Sequence, residues 1–271
     1  MAGNTALKLT FYGDDITGST DAMEALVLAG VPTVLFLEPP GREQVFEKFP
    51  GVQAVGLAGM SRTMTPAEMD TALPEAFASL KALGAPITHY KVCSTFDSSP
   101  QIGSIGRALE IGKKIFKAHF VPVVVGAPKL RRYVVFGNHF ATLQGITYRL
   151  DRHPVMRAHP ITPMDESDLR LHLAKQTDLK IGLVDVLHLA RSNQAVDQLV
   201  GQMAAEGVQI VVFDTLDESH LMKVGRFLHH QGQQSQSFVV GSSGVEFALA
   251  KYWKSKDQIQ PPGKFASPGP V

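Results

Sequence analysis

Short apolar runs rich in β-branched residues alternate along this chain with stretches of helical spacing, and polar turns separate them. The first run, residues 7–12 (LKLTFY), has the length and content of a buried strand. Gly13 breaks it, two carboxylates follow at Asp14 and Asp15, and Thr17 and Gly18 continue the turn. The spacing of Ala22, Ala25, Leu26 and Ala29 then predicts a helix that Ser19, Thr20 or Asp21 would cap. Further strands are expected over 33–37, 52–57, 87–92 and 121–125, and helices over 66–83 and 102–118. Thr65 ahead of Pro66 marks the start of the first of these helices. From 127 to 163 the periodicity loosens, Pro, His, Arg and Gly are frequent, and the segment reads as a long loop region. Alternation resumes with helices over 165–176, 195–206, 220–229 and 245–253 and strands over 181–186, 208–213 and 238–240. Residues 254–271, with their Pro, Lys, Gln and Gly, read as a linker. The alternation predicts an α/β fold: a Rossmann-like open, mostly parallel sheet with helices on both faces.

Composition narrows the partners. With 44% hydrophobic and 19% charged residues, the 271-residue chain resembles an ordinary soluble globular protein. A formal net charge of +1, with the basic residues dispersed, argues against nucleic acid or an anionic membrane surface as a partner. No apolar run approaches the ~20 residues that cross a bilayer. The start of the chain enters a strand without a secretory apolar region. The single cysteine, Cys93, excludes an internal disulfide framework and fits a reducing compartment, so a cytoplasmic protein is expected.

In a parallel sheet the carboxyl ends of the strands share one edge, where open α/β sheets bind ligands. That edge would gather Asp14, Asp15 and Thr17, then Ser61 and Arg62, then Lys91, Ser94, Thr95 and Asp97. From the later half it would gather Asp185, Asp214 and the turn Gly241-Ser242-Ser243-Gly244. Acids, hydroxyls and bases at one edge suit a small polyhydroxylated acid: Arg or Lys clamps its carboxylate and Asp accepts from its hydroxyls. The Gly241–Gly244 turn lies between a strand and a helix, so its amides are candidates for an anion, or are ordinary turn residues. No pair of histidines has ligand spacing on one helical face, so no metal site is expected. Cys93 has no identifiable partner for nucleophilic chemistry and reads as a small buried or edge thiol.

GDDITGSTD at Gly13 to Asp21 resembles the ADD-x-TGA signature of the four-carbon acid sugar kinases. The likeness continues through Ser61-Arg62, KVCSTFDS at Lys91 to Ser98, HPITPM at His159 to Met164 and GSSGVEFALA at Gly241 to Ala250. The resemblance implies a sugar-acid-binding domain over 1–253, with two sub-halves breaking near 127–163. Residues 254–271 would lead to a C-terminal nucleotide-binding domain, present in cis or trans, that holds most of the ATP and Mg. Members phosphorylate threonate, erythronate, 3-oxo-tetronate or related short acids. By that likeness Asp14 and Asp15 serve the substrate hydroxyls, one as a general base, and Arg62 and Lys91 serve its carboxylate. Thr17, Gly18, Ser61, Ser94 and Thr95 would add substrate contacts, while Gly241, Ser242, Ser243 and Gly244 would face the phosphates. The chain departs from the family's K-x-DSTLRGN in placing Cys93 at its Asp and Asp97 at its Arg, which removes a candidate clamp and marks a different acid. With no G-x-x-x-x-G-K-[ST] loop, the 271-residue chain alone is expected to be an incomplete kinase. A non-catalytic sugar-acid binding module is the alternative, and a homo-oligomer is left open. A Ser or Cys hydrolase is disfavoured because no G-x-S-x-G elbow occurs.

Overall fold

The computed structural model describes residues 7–260. The apolar runs of the first half become β1 (Leu9–Gly13), β2 (Thr33–Phe36), β3 (Ala54–Ala58), β4 (Ile87–Lys91) and β5 (Val121–Val124). Between them lie α1 (Ile16–Leu28), α2 (Arg42–Lys48), α3 (Pro66–Ala82) and α4 (Ile105–Phe116). A three-strand insertion follows: β6 (Arg132–Val135), β7 (Asn138–Leu143) and β8 (Ile146–Arg149). The second half runs α5 (Leu169–Ala174), β9 (Ile181–Val184), α6 (Val186–Leu189), α7 (Asn193–Ala205), β10 (Ile210–Phe213), α8 (Glu218–Gln234), β11 (Ser237–Gly241) and α9 (Gly244–Ser255).

Eight strands form one sheet in the order β2-β3-β1-β4-β11-β5-β10-β9, and every pairing is parallel. Side chains alternate between two apolar layers although both are buried, which is why the strands read as continuous hydrophobic runs. Tyr12 and Tyr90 join Met69, Leu73, Phe77 and Leu109 of α3 and α4 on one face. Leu9, Phe11 and Val239 meet Leu26 of α1, Val224 and Phe227 of α8 and Leu249 and Trp253 of α9 on the other. From β1 the chain builds outward to β2 and β3, then crosses over to β4, so the order reverses between β1 and β4. In open α/β sheets such a reversal point is where ligands bind, here at the carboxyl ends of β1 and β4, the place called the β1–β4 crevice below.

Several boundaries correct the sequence reading. α1 starts at Ile16 with Asp15 as its N-cap, not Ser19, Thr20 or Asp21, because the chain turns into the helix directly after Asp14. The loose segment 127–163 holds the antiparallel sheet β6-β7-β8. Its hairpins turn at Phe136-Gly137 and Gln144-Gly145, where all four residues have positive φ, as two-residue type I′ turns require. With Phe and Gln where Asn or Asp is favoured, neither turn announces itself. The helix expected over 165–176 shortens to α5, capped by Asp168. Asp185 ends the expected strand by capping α6, and α9 continues to Ser255, into the stretch read as linker. Most of that stretch, 261–271, lies outside the described residues.

The insertion and α5 bury two imidazoles. His139 on β7 is fully buried, with no partner on either ring nitrogen among the described residues, and burial pushes it down to about 3. His172 on α5 meets Ser98 Oγ at 2.9 Å, and burial pushes it down to about 4. Both are neutral when folded, whereas the unfolded chain takes up protons near pH 6.5, so their contribution is lost as pH falls from about 6.5 toward 4. By pH 4 the loss is on the order of 2–3 kcal/mol per imidazole. Urea midpoints for His139→Leu should therefore fall less than wild type between pH 7 and pH 4.5; parallel pH profiles would show that His139 does not titrate this way.

Candidate active site at the β1–β4 crevice

The crevice is assembled by backbone contacts before any side chain reaches into it. Gly13 lets α1 follow β1 immediately, since a Cβ there would stand 1.9 Å from Ser19 Oγ. The amide of Asp14 donates to Lys91 O at 2.9 Å, and its carbonyl accepts from the amide of Arg62 at 3.0 Å. The turns after β1, β3 and β4 are thus locked together.

Both oxygens of Asp15 are engaged: Oδ1 caps the amide of Gly18 and Oδ2 accepts from Arg62 Nη1 at 3.0 Å. Arg62 Nη2 reaches both oxygens of Asp97 at 2.9 Å. Asp97 accepts further from Thr95 Oγ1 at 2.5 Å and Thr162 Oγ1 at 2.9 Å. Burial opposes its charge, but the bonds from Thr95, Arg62 and Thr162 hold its carboxyl below the usual range. The amide of Thr162 donates to His159 Nδ1 at 3.1 Å, which brings the 159–164 segment to the crevice wall.

A second cation lies across from this lock. Lys91, 2% exposed, donates from Nζ to Val92 O at 3.2 Å and pairs with Asp21 Oδ2 at 3.3 Å. Asp21 also accepts the hydroxyl of Ser243. Gly18 explains itself here: a Cβ on it would stand 3.2 Å from Lys91 Nζ and 3.7 Å from Asp14 Oδ1. The ammonium and that carboxylate therefore face one point above the first turn of α1. Asp14 is 4% exposed, and its Oδ1 has no hydrogen-bond partner among the described residues. Burial, then the neighbouring Asp15, pushes its carboxyl up to about 7 against the pull of Lys91 and Arg62. A buried, unpartnered carboxyl that titrates near neutrality can accept a proton from a bound hydroxyl.

Of the residues singled out in the sequence, Asp14, Asp15, Gly18, Arg62, Lys91 and Thr95 come together here. Thr17 is exposed on α1, and Ser94 is half-buried on the loop after β4. Ser61 is buried, with its hydroxyl 2.9 Å from that of Tyr90. Gly241 and Gly244 serve close backbone packing, since their Cβ atoms would fall 1.9 Å from Val124 O and 2.3 Å from Gly126 O. The amides of Ser242 and Gly244, expected to face phosphates, are bonded to Val124 O and Ser242 Oγ. The turn meets the crevice through the Ser243 hydroxyl. Asp214 stands apart, bracing the insertion by accepting from the amides of Phe136, Gly137 and Val186 at 2.6, 2.9 and 3.0 Å. The sequence reading missed the roles of Asp21, Asp97 and Thr162. Asp21 had a signal in its spacing, three residues after Gly18 on one face of the predicted helix. Among the described residues no group of three His, Cys, Asp or Glu could hold a metal ion, and no helix is long and apolar enough to cross a membrane.

The profile described as "Sugar-binding N-terminal domain" matches residues 9–249. A 3-oxo-isoapionate kinase of Paraburkholderia graminis is 50% identical over 98% of this chain and 56% of that protein. A 3-oxo-tetronate kinase of Pectobacterium atrosepticum is 32% identical over 91% of this chain and 55% of that protein. A crystal structure from Salmonella typhimurium LT2 superposes with a TM-score of 0.81 at 27% identity, covering 94% of this chain and 57% of that one. The chain spans about half the length of the curated relatives it matches.

Proposed function

The chain belongs to the sugar-binding N-terminal domain family of the four-carbon acid sugar kinases, and from that premise we propose that it holds a short 3-oxo sugar acid in the β1–β4 crevice for phosphorylation by ATP bound to a second domain. The observation that carries this reading is the buried Asp14 carboxyl beside Lys91, whose Oδ1 has no hydrogen-bond partner among the described residues. Asp14 accepts the proton of the attacking hydroxyl, and Lys91 Nζ takes the acid's carboxylate. Arg62 holds Asp15 and Asp97 in place through Nη1 and Nη2, and in this reading it serves that lock rather than the acid's carboxylate. Four acids around two bases leave the crevice short of positive charge for an anion. A largely protonated Asp14 below neutral pH relieves part of that deficit.

Among the described residues a Mg-nucleotide finds little to hold it: two amides of the Gly241–Gly244 turn are consumed inside the fold, and no group of three His, Cys, Asp or Glu could hold a metal ion. ATP and Mg accordingly belong to the second domain in this reading. The 3-oxo-isoapionate kinase at 50% identity favours that acid over the other short acids. Calorimetry of the 271-residue chain with 3-oxo-isoapionate, L-threonate and D-erythronate should show selective acid binding without appreciable ATP binding, and turnover once a nucleotide-binding half is supplied. Acid-dependent ATP consumption by the chain alone would overturn the division of labour; acid binding without turnover in the reconstituted pair would favour a binding module. Asp97→Asn releases Arg62 from one carboxylate and should change the ranking of these acids. An unchanged ranking would mean that Asp97 does not govern acid choice.

A further inference from the structure

Beneath the crevice, His89 on β4 and Glu246 in the first turn of α9 form a fully buried pair, with Nδ1 2.6 Å from Oε1. Their other contacts are lopsided. His89 Nε2 meets Gly241 O at 3.1 Å, and since a carbonyl only accepts, Nε2 carries a hydrogen. Glu246 Oε2 has no partner among the described residues. A buried pair of this kind is weak evidence for stability, because apolar residues of similar volume often match or better it. An orphaned buried oxygen adds a further cost.

What the pair does is pin the turn that leads to the crevice. Gly241 O, held from below by His89, also accepts from the amide of Val92 at 2.7 Å, and Val92 O in turn accepts from Lys91 Nζ. Two residues on, Ser243 donates to Asp21, the carboxylate partner of Lys91. Both anchors of the Lys91 ammonium therefore trace back to the same turn. We propose that His89 and Glu246 are positioning residues that set the height of the Gly241–Ser243 turn and, through Val92 and Asp21, the place of the Lys91 ammonium that receives the acid. This rests on the functional reading above for the ligand, but the link itself is a property of the fold.

The paired replacement His89→Leu/Glu246→Leu removes the pair without stranding a charge. It should keep wild-type thermal stability or exceed it while weakening 3-oxo-isoapionate binding about tenfold. Ser243→Ala should weaken binding comparably in wild type and add little in the Leu/Leu background. Glu246→Gln, whose amide can either donate to Nδ1 or accept from it, should retain binding to within about twofold. Unchanged affinity in the Leu/Leu variant, or full additivity with Ser243→Ala, would overturn the proposal. If the Leu/Leu variant does not fold, Ser243→Ala decides alone, and an unchanged affinity overturns it. If wild type binds no acid, which defeats the functional reading, hydrogen exchange decides: faster exchange over 91–97 in Ser243→Ala supports the link and unchanged exchange refutes it.

Discussion

Asp14→Asn should make the protein more stable above neutral pH and all but silence phosphoryl transfer. Asp14 is raised from its ordinary 3.8 to about 7, so the folded state prefers it protonated. The stability associated with that preference is complete below about pH 4 and is lost as pH rises through 7. At pH 8 the wild type therefore carries a charged, unpartnered buried carboxylate, at a cost on the order of 3–4 kcal/mol. Asparagine has nearly the same shape and no charge, so urea unfolding at pH 8 should show most of that difference, shrinking toward zero at pH 4. Acid-dependent turnover, with the nucleotide-binding half supplied, should fall about 10²–10⁴-fold, the usual contribution of a positioned base. A variant that is no more stable at pH 8, or that turns over normally, would remove Asp14 from the role assigned to it.

Arg62→Met should produce the largest stability loss of any single change at the crevice. Its guanidinium bridges Asp15, which is partly exposed, and Asp97, whose side chain is 1% exposed. Removing it leaves Asp97 with two hydroxyl donors and no counter-charge. Breaking a buried pair in this way costs about 3–5 kcal/mol, and the lower end applies because Arg62 itself retains some solvent contact. Arg62→Lys keeps the charge but not the fork that spans two carboxylates, and should recover less than half of the loss. A double-mutant cycle with Asp97→Asn, read by urea unfolding, should give a coupling of at least about 1 kcal/mol. Additive losses would mean the lock contributes nothing as a pair. The same cycle read by acid affinity separates a scaffold from a clamp: Asp97→Asn alone should alter acid choice while leaving the fold intact.

The parallel sheet was legible because each central strand is covered on both faces and so appears as an unbroken apolar run, from Leu9–Gly13 to Ser237–Gly241. What escaped notice was local and short. The β6–β8 strands are four to six residues long, and their turns use Phe136 and Gln144 at positive φ, a conformation that sequence preference does not suggest for either. At the crevice the residue types were visible but their pairing was not. Arg62 invites the reading of a carboxylate clamp, and nothing in the chain reveals that Asp15 and Asp97, 47 residues before and 35 after, already occupy it. Asp97 looked like the loss of an arginine, whereas in the fold it is the anchor of one. The Gly241–Gly244 turn shows the same ambiguity, since glycine serves a bound anion and a close backbone crossing equally well.

The position of β11 has a consequence for how the protein is made. It is the last strand among the described residues, yet it inserts between β4 and β5, which touch no other described strand on those sides. During synthesis the ribosome would release two separate half-sheets, β2-β3-β1-β4 and β5-β10-β9, each with a central strand standing as a raw edge until residue 241 emerges. β11 is a keystone, and because the Ser243 hydroxyl that braces Lys91 arrives two residues behind it, closure of the sheet and completion of the crevice are one event. A nascent chain cannot acquire the finished site early, and any ligand that needs Lys91 braced in this way reports that both halves have been joined.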